Sequence, residues 1–250
     1  MIVAIMIGRK GSSGFPGKNT TEVLGHPMAW WPLEVARQVP AIDVVYVSTD
    51  DPTISQIAVA AGARTIERPA SLASKAALSD DAYHHAHEVV TSELARDGRV
   101  PELYVLLMAN AVTITPELIS EGIEVMQARG DLDSAISVSC YNMWSPLRAR
   151  TITDEGLLEP FVPFETFGDP ATLNCDRDSQ GDVWFADAGV SIVRPGNFDR
   201  LPEGMLPTRS MGRRIYPLRN RAGLDVDYDY QLPQARWWLE QRAGGGRAAD

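Results

Sequence analysis

Six apolar residues in a row, Ile2 to Ile7, stop at Gly8, and beyond them short apolar runs alternate with stretches whose apolar residues recur at helical spacing. A run so short is a buried strand, since a membrane-spanning helix needs about 20 apolar residues. Further strands are expected at 44–48, 104–108, 135–139 and 190–193. Between them Asp51 caps a helix that Pro52 starts and Gly62 ends, Ser79 precedes a polar helix through His84, His85, His87 and Glu88, and Thr115 with Pro116 opens another. Strands alternating with helices place the chain in the α/β class, with βα units feeding a mixed, mostly parallel sheet that carries helices on both faces. A last helix is expected at 229–242, burying Leu232, Trp237 or Trp238, and Leu239.

The periodicity weakens over 141–181, where Pro, Phe, Asp and Gly increase. That segment reads as an arm whose apolar residues need a partner, and a second copy of the chain is the expected one. The tail beyond Gly244 is expected to be disordered. No internal repeat is visible, which leaves a solenoid little support.

At 250 residues the chain suits one α/β domain able to bury a core without staples. Its two cysteines, Cys140 and Cys175, match no metal-ligand spacing and read as buried or idle thiols, as expected of a cytoplasmic protein. A formal net charge of −10 argues against general nucleic-acid binding, though a local basic pocket for a small anion stays compatible with it. The apolar start leads into Gly8, Arg9 and Lys10 rather than a cleavage site, so neither a leader nor a membrane anchor is expected.

The segment Gly8-Arg9-Lys10-Gly11-Ser12-Ser13-Gly14-Phe15-Pro16-Gly17-Lys18-Asn19 directly follows the first strand. Its glycines allow backbone N–H groups to approach phosphate oxygens, and Arg9, Lys10 and Lys18 supply charge that the backbone lacks. The spacing fits neither GxxxxGK[ST] nor GxGxxG. In an open α/β sheet such a loop lies where ligands collect, at the carboxyl ends of the strands. Near the C-terminus Asp225 and Asp227 alternate along an extended segment and share a face, a geometry that suits Mg²⁺ with its preference for oxygen ligands. His84, His85 and His87 lack the spacing of an HExxH zinc site and read as an exposed polar helix face.

The loop, together with Ser48-Thr49-Asp50-Asp51, Arg68-Pro69-Ala70-Ser71-Leu72-Ala73 and Leu224-Asp225-Val226-Asp227, resembles the CMP-sialic acid synthetase (acylneuraminate cytidylyltransferase) family and its CMP-KDO synthetase relatives. The resemblance covers nearly the whole chain. It implies a Rossmann-like, GT-A-like nucleotidyltransferase fold: a CTP-binding core at 1–140, a dimerisation and acceptor arm at 141–182, and the rest of the core with the metal motif at 183–243. It implies that Gly8, Arg9, Lys10, Gly11, Ser12 and Lys18 bind the triphosphate, that Asn19, Arg68 and Ser79 read cytosine, and that Asp225 and Asp227 hold Mg²⁺. CTP and an acidic small-molecule acceptor are the expected partners, in a homodimer.

Two departures from the family pattern bear on the substrate. Ser13 stands where sialic acid enzymes usually carry a basic residue, and Lys10 is a candidate to restore that charge. Residues 107–113, Leu-Met-Ala-Asn-Ala-Val-Thr, replace LQPTSPxR or QGDEP, so an acceptor other than N-acetylneuraminate is expected. Asn110, Arg148, Arg150, Arg177 and Gln180 are the candidate acceptor residues, arginine being suited to a carboxylate or phosphonate. The acceptor is then a nonulosonic or related sugar acid, or a hydroxyalkyl phosphonate. A nucleotide-binding dimer without activity is a third reading, against which the two aspartates argue.

Overall fold

In the computed structural model, which describes residues 1–12 and 14–243, the elements in chain order are β1 (Ile2–Ile7), the hairpin β2 (Glu22–Val23) and β3 (His26–Pro27), α1 (Trp30–Arg37), β4 (Val44–Thr49), α2 (Pro52–Ala60), β5 (Arg64–Glu67), α3 (Ser79–Arg96), β6 (Leu103–Met108), α4 (Pro116–Ala128), β7 (Ser134–Cys140), β8 (Arg150–Ile152), β9 (Leu158–Pro160), β10 (Trp184–Val193), β11 (Ile215–Arg219) and α5 (Leu232–Ala243). The expectations for Ser13 and for the tail from 244 lie outside the described residues. Seven strands form one sheet in the order β11-β7-β10-β6-β1-β4-β5. Within it β10 runs antiparallel to both its neighbours and the other pairings are parallel.

Side-chain alternation along the strands splits the core in two. Ile2, Ala4 and Met6 of β1 and Leu103, Val105 and Leu107 of β6 pack beneath α1, α2 and α4 through Leu33, Ile54, Ile119 and Met126. Val3, Ile5, Tyr104 and Leu106 face the other way, onto Tyr83, Val90 and Leu94 of α3 and onto Phe198. A third cluster joins the small hairpin to α5: Val23, Met28, Val112, Leu224, Val226, Ala235 and Leu239. It matters for function because it fixes which side of the segment at 224–227 points inward.

The expected caps are present at two helices. The Asp51 carboxylate accepts from Thr53 N at 2.8 Å, and Thr115 Oγ1 accepts from Leu118 N at 3.2 Å. Ser79 is a correction, since it is the first residue of α3 rather than the residue ahead of it, and Leu78 holds the cap position. The polar-face reading of the histidines is also corrected. His84, His85 and His87 are half-buried, His87 stacks on Phe198 at 5.2 Å, and its Nδ1 lies 2.9 Å from Tyr104 Oη. Packing by Phe198, which is distant in sequence, turns His84 and His87 inward. The expected final helix begins with a 3-10 turn, Asp229–Gln231, followed by α5, in which Trp238 and Leu239 are buried while Trp237 stays 48% exposed.

Between β7 and β10 the chain makes a hairpin, β8 with β9, flanked by 3-10 turns. Trp144, Ile152, Leu157, Leu158 and Phe161 are all more than 60% exposed there. Among the described residues no helix is long and apolar enough to cross a membrane.

Candidate functional site

Strand order places the site. β1 has β4 on one side and β6 on the other, so the loops leaving their carboxyl ends diverge and open a crevice, the usual ligand position of an open α/β sheet. A cleft of about 410 Å³ occupies it, bounded by the glycine loop, by Arg68 and Ser79, and by Asn110, Asp227 and Tyr228.

The glycine loop is held from below. Lys10 N donates to Asp50 Oδ1 at 2.9 Å, Asn19 Nδ2 donates to Arg9 O at 3.2 Å, and Arg9 Nη1 donates to Ala73 O at 3.2 Å. A side chain at position 8 would meet Ala109 Cβ at 2.8 Å, and one at position 14 would meet Asp227 O at 2.7 Å. Glycine at these two positions lets the loop lie against the ends of β6 and of the aspartate segment. Lys10 itself is exposed, while Lys18 is buried to 12% side-chain exposure by the same packing.

Leu224 and Val226 point into the third apolar cluster, which turns Asp225 and Asp227 the other way, Asp227 lining the cleft and Asp225 held beside Lys18 and Asn110. The Lys18 ammonium lies 2.5 Å from Asp227 Oδ1 and 3.9 Å from Asp225 Oδ1. Burial, with the Asp227 charge adding to it, outweighs the attraction of Lys18 and pushes the Asp225 carboxyl up to about 6. Gln231 Oε1 accepts from the amides of Asp227 and Tyr228 at 2.7 and 2.8 Å, so the end of this segment is capped by glutamine and the Asp227 carboxylate stays with Lys18.

Arg68 is 5% exposed, and its Nε and Nη2 donate to Ser48 Oγ (3.2 Å) and Ser48 O (2.5 Å). Burial lowers its pKa from the ordinary arginine value. Two of its five N–H groups are thus engaged, and the guanidinium still lines the cleft. Asn19 is 8% exposed, and its Oδ1 is buried with no hydrogen-bond partner among the described residues. An amide oxygen without a donor at a ligand cleft is a docking group for an N–H of the ligand.

The acceptor candidates are not brought together. Asn110 reaches the cleft, but its Nδ2 donates to Asp225 Oδ1 and, at 3.1 Å, to Val226 O, so its amide orients the aspartate segment. Arg148 donates to Cys175 O, Arg150 donates to Leu147 O and stacks 5.2 Å over Phe164, Arg177 pairs with Asp178, and Gln180 donates to Ser179 O. All four lie in the arm and none lines the cleft of its own chain. Tyr228, which the sequence reading did not single out, forms part of the cleft wall and stacks on Tyr230 at 5.3 Å.

Among the described residues no group of three or more His, Cys, Asp or Glu side chains is placed to hold a metal ion. Asp227 on the cleft wall and Asp225 beside it, both next to the Lys18 ammonium, nevertheless fit Mg²⁺, which takes one or two carboxylates and completes its shell with phosphate oxygens and water. The carboxyl of Asp225, raised by burial, is a group whose ionisation a divalent cation would favour.

A family model described as cytidylyltransferase matches residues 3–138. N-acylneuraminate cytidylyltransferase A of Danio rerio is 28% identical over 137 residues, covering 55% of this chain and 30% of that protein. CMP-N,N'-diacetyllegionaminic acid synthase of Legionella pneumophila is 26% identical over 247 residues, covering 97% of this chain and 98% of that one. The chain thus spans less than a third of the first relative's length and nearly all of the second's. The solved structure of CMP:2-keto-3-deoxy-manno-octonic acid synthetase complexed with CTP has a TM-score of 0.67 at 20% identity, covering 96% of this chain and 99% of that one, a likeness of fold.

Proposed function

Because this chain belongs to the cytidylyltransferase family, whose model spans residues 3–138, we propose that it transfers CMP from CTP to a hydroxyl of an acidic, sugar-acid-like acceptor and releases pyrophosphate. The observation that carries the reading is the Lys18 ammonium set between the glycine loop and the carboxylates of Asp225 and Asp227. A cytidine reader is supported on the other side of the cleft. Cytosine has an N4 donor and O2 and N3 acceptors, which match the Asn19 Oδ1 and the Arg68 N–H groups that have no partner among the described residues.

In this mechanism the acceptor oxygen attacks the α-phosphorus in line. The bond from phosphorus to the β-bridging oxygen breaks, pyrophosphate carries off that electron pair, and the hydroxyl proton passes to solvent. Arg9, Lys18 and the loop amides bind the departing charge, and the chain positions both reactants without a covalent intermediate. Mg²⁺ held by Asp225 and Asp227 would neutralise phosphate charge. The acceptor is proposed to be a nonulosonic or related sugar acid, in line with the name of the Legionella relative.

The exposed apolar residues of the arm are proposed to meet a second copy, which would let Arg148, Arg150, Arg177 or Gln180 approach the partner's cleft. The deciding experiment is pyrophosphate release from CTP with Mg²⁺ against a panel of nonulosonic acids, 3-deoxy-octulosonic acid and hydroxyalkyl phosphonates. Release with a sugar acid supports the reading, release with phosphonates alone replaces the acceptor class, and no release with any member overturns it.

A further inference from the structure

Asp187 is 9% exposed and lies outside the cleft, on β10 where the pairing with β7 shifts register. Each of its oxygens accepts two hydrogen bonds. Oδ1 accepts from Ser137 Oγ and from Gly189 N (3.0 Å), and Oδ2 accepts from Ser139 Oγ (2.6 Å) and Asn220 Nδ2 (3.1 Å). Four donors fill the four lone-pair sites of a carboxylate, so β7, β10 and the end of β11 are tied to one buried group.

The arrangement also sets the direction of the two hydroxyls. A serine has one proton to give, and both serines give it to Asp187, so each oxygen must accept on its far side. Ser137 Oγ accepts from Val190 N at 2.9 Å, and Ser139 Oγ accepts from Gly223 N at 2.7 Å. Gly223 begins the segment that carries Asp225, and its carbonyl accepts from Tyr141 Oη at 2.7 Å. A Cβ at position 223 would sit 2.1 Å from Asp187 Cβ, so the segment lies directly against the aspartate.

We propose that Asp187 is a positioning residue for the Asp225–Asp227 pair, acting through the Ser139 hydroxyl on the Gly223 amide. The proposal rests on the reading of Asp225 and Asp227 as metal-binding carboxylates. An asparagine at 187 keeps the shape but puts an NH₂ in place of one oxygen, and the Oδ2 place is favoured, because the Asn220 amide there can turn to accept whereas the Gly189 N–H at Oδ1 can only donate. Ser139 can then no longer donate to residue 187, and the line through Ser139 to Gly223 loses its fixed direction.

The test uses the full chain with Asp187→Asn and Ser139→Ala, both checked for an unchanged melting temperature. Hydrogen exchange of the 221–227 amides is followed without metal. Mg²⁺ affinity is titrated by calorimetry in the presence of a non-hydrolysable CTP analogue, and the analogue's own affinity without Mg²⁺ is the control. Faster exchange at Gly223, Mg²⁺ bound about tenfold more weakly and analogue affinity within about twofold of wild type support the proposal, as expected when an outer residue that orients a metal ligand is lost. Wild-type exchange and Mg²⁺ affinity in both variants would overturn it. If Asp187→Asn does not fold, Ser139→Ala, which keeps the aspartate, decides by the same readouts. A wild-type chain that binds no Mg²⁺ would overturn the metal reading, and Gly223 exchange would still decide the positioning.

Discussion

The Lys18 ammonium lies 2.5 Å from the Asp227 carboxylate, although the two residues are 209 positions apart in the chain. The contact closes the glycine loop onto the segment that carries both candidate metal ligands. In the proposed reaction Lys18 serves two partners in turn, these carboxylates and then the triphosphate. Lys18→Met is expected to lower the rate of pyrophosphate release about 100-fold, the scale of losing one charge-stabilising donor. Steady-state rates with CTP and an accepted sugar acid check it, and a loss below tenfold would count against the assignment.

Asp225→Asn and Asp227→Asn are each expected to reduce turnover by at least about 100-fold while changing stability by less than about 1 kcal/mol in the destabilising direction, because the Asp227 side chain is half exposed and burial penalises the Asp225 charge. Turnover and urea unfolding of the same preparations separate the two effects. Full activity in either variant would remove that carboxylate from the metal site.

The Asp225 carboxyl, raised from 3.8 to about 6, gives a pH dependence with a definite sign. In the metal-free chain the native state holds this proton more tightly than the unfolded state does, so Asp225 costs nothing below pH 4, costs more as pH rises from about 4 to about 6, and costs its full amount above that. Asp225→Asn removes the cost. Its unfolding midpoint in urea should rise relative to wild type between pH 4 and pH 7. Mg²⁺ affinity of the wild type should increase over the same window, because the ion takes the ionised form. A pH-independent difference between the two chains would contradict the assignment.

For nucleotide choice, Arg68→Ala and Asn19→Ala should weaken CTP binding at least tenfold and narrow its advantage over UTP, since each lost partner leaves a buried group of the base unpaired at about 1–3 kcal/mol. Calorimetry with CTP and UTP reads this directly. Part of the Arg68 effect will appear as lost stability, because the guanidinium also holds Ser48.

For the arm, Leu158→Asp and Phe161→Asp should shift the proposed dimer toward monomer in light scattering after gel filtration, since both side chains are about 70% exposed in the single chain. If activity falls with the dimer and recovers at high protein concentration, the partner's arm completes the acceptor site. N-acetylneuraminate is expected to be a poor acceptor, and efficient transfer to it would move the acceptor site away from residues 107–113.

Much of this protein follows from short-range rules that act within a few residues. Ile2 to Ile7 could only be a strand buried on both faces, Asp51 and Thr115 cap their helices through bonds two and three residues away, and the alternation of Leu224-Asp225-Val226-Asp227 separates apolar from acidic faces before any fold is known. What required the tertiary structure depends on which distant segments meet. Trp238 rather than Trp237 is buried because it shares the face of α5 that carries Ala235 and Leu239, and His84 and His87 of α3 turn inward against Phe198. Asn110 became the partner of Asp225 through a contact 115 positions long, and Arg148 and Arg150 went to carbonyls of their own arm. Asp187 carries no sequence signal at all. Its role exists only because β7, β10 and β11 are brought side by side, which puts two serines, an asparagine and a glycine amide around one buried carboxylate. Local rules set the elements and their faces, but a hydrogen bond needs its donor within about 3 Å, and over a hundred residues only the packed sheet provides that.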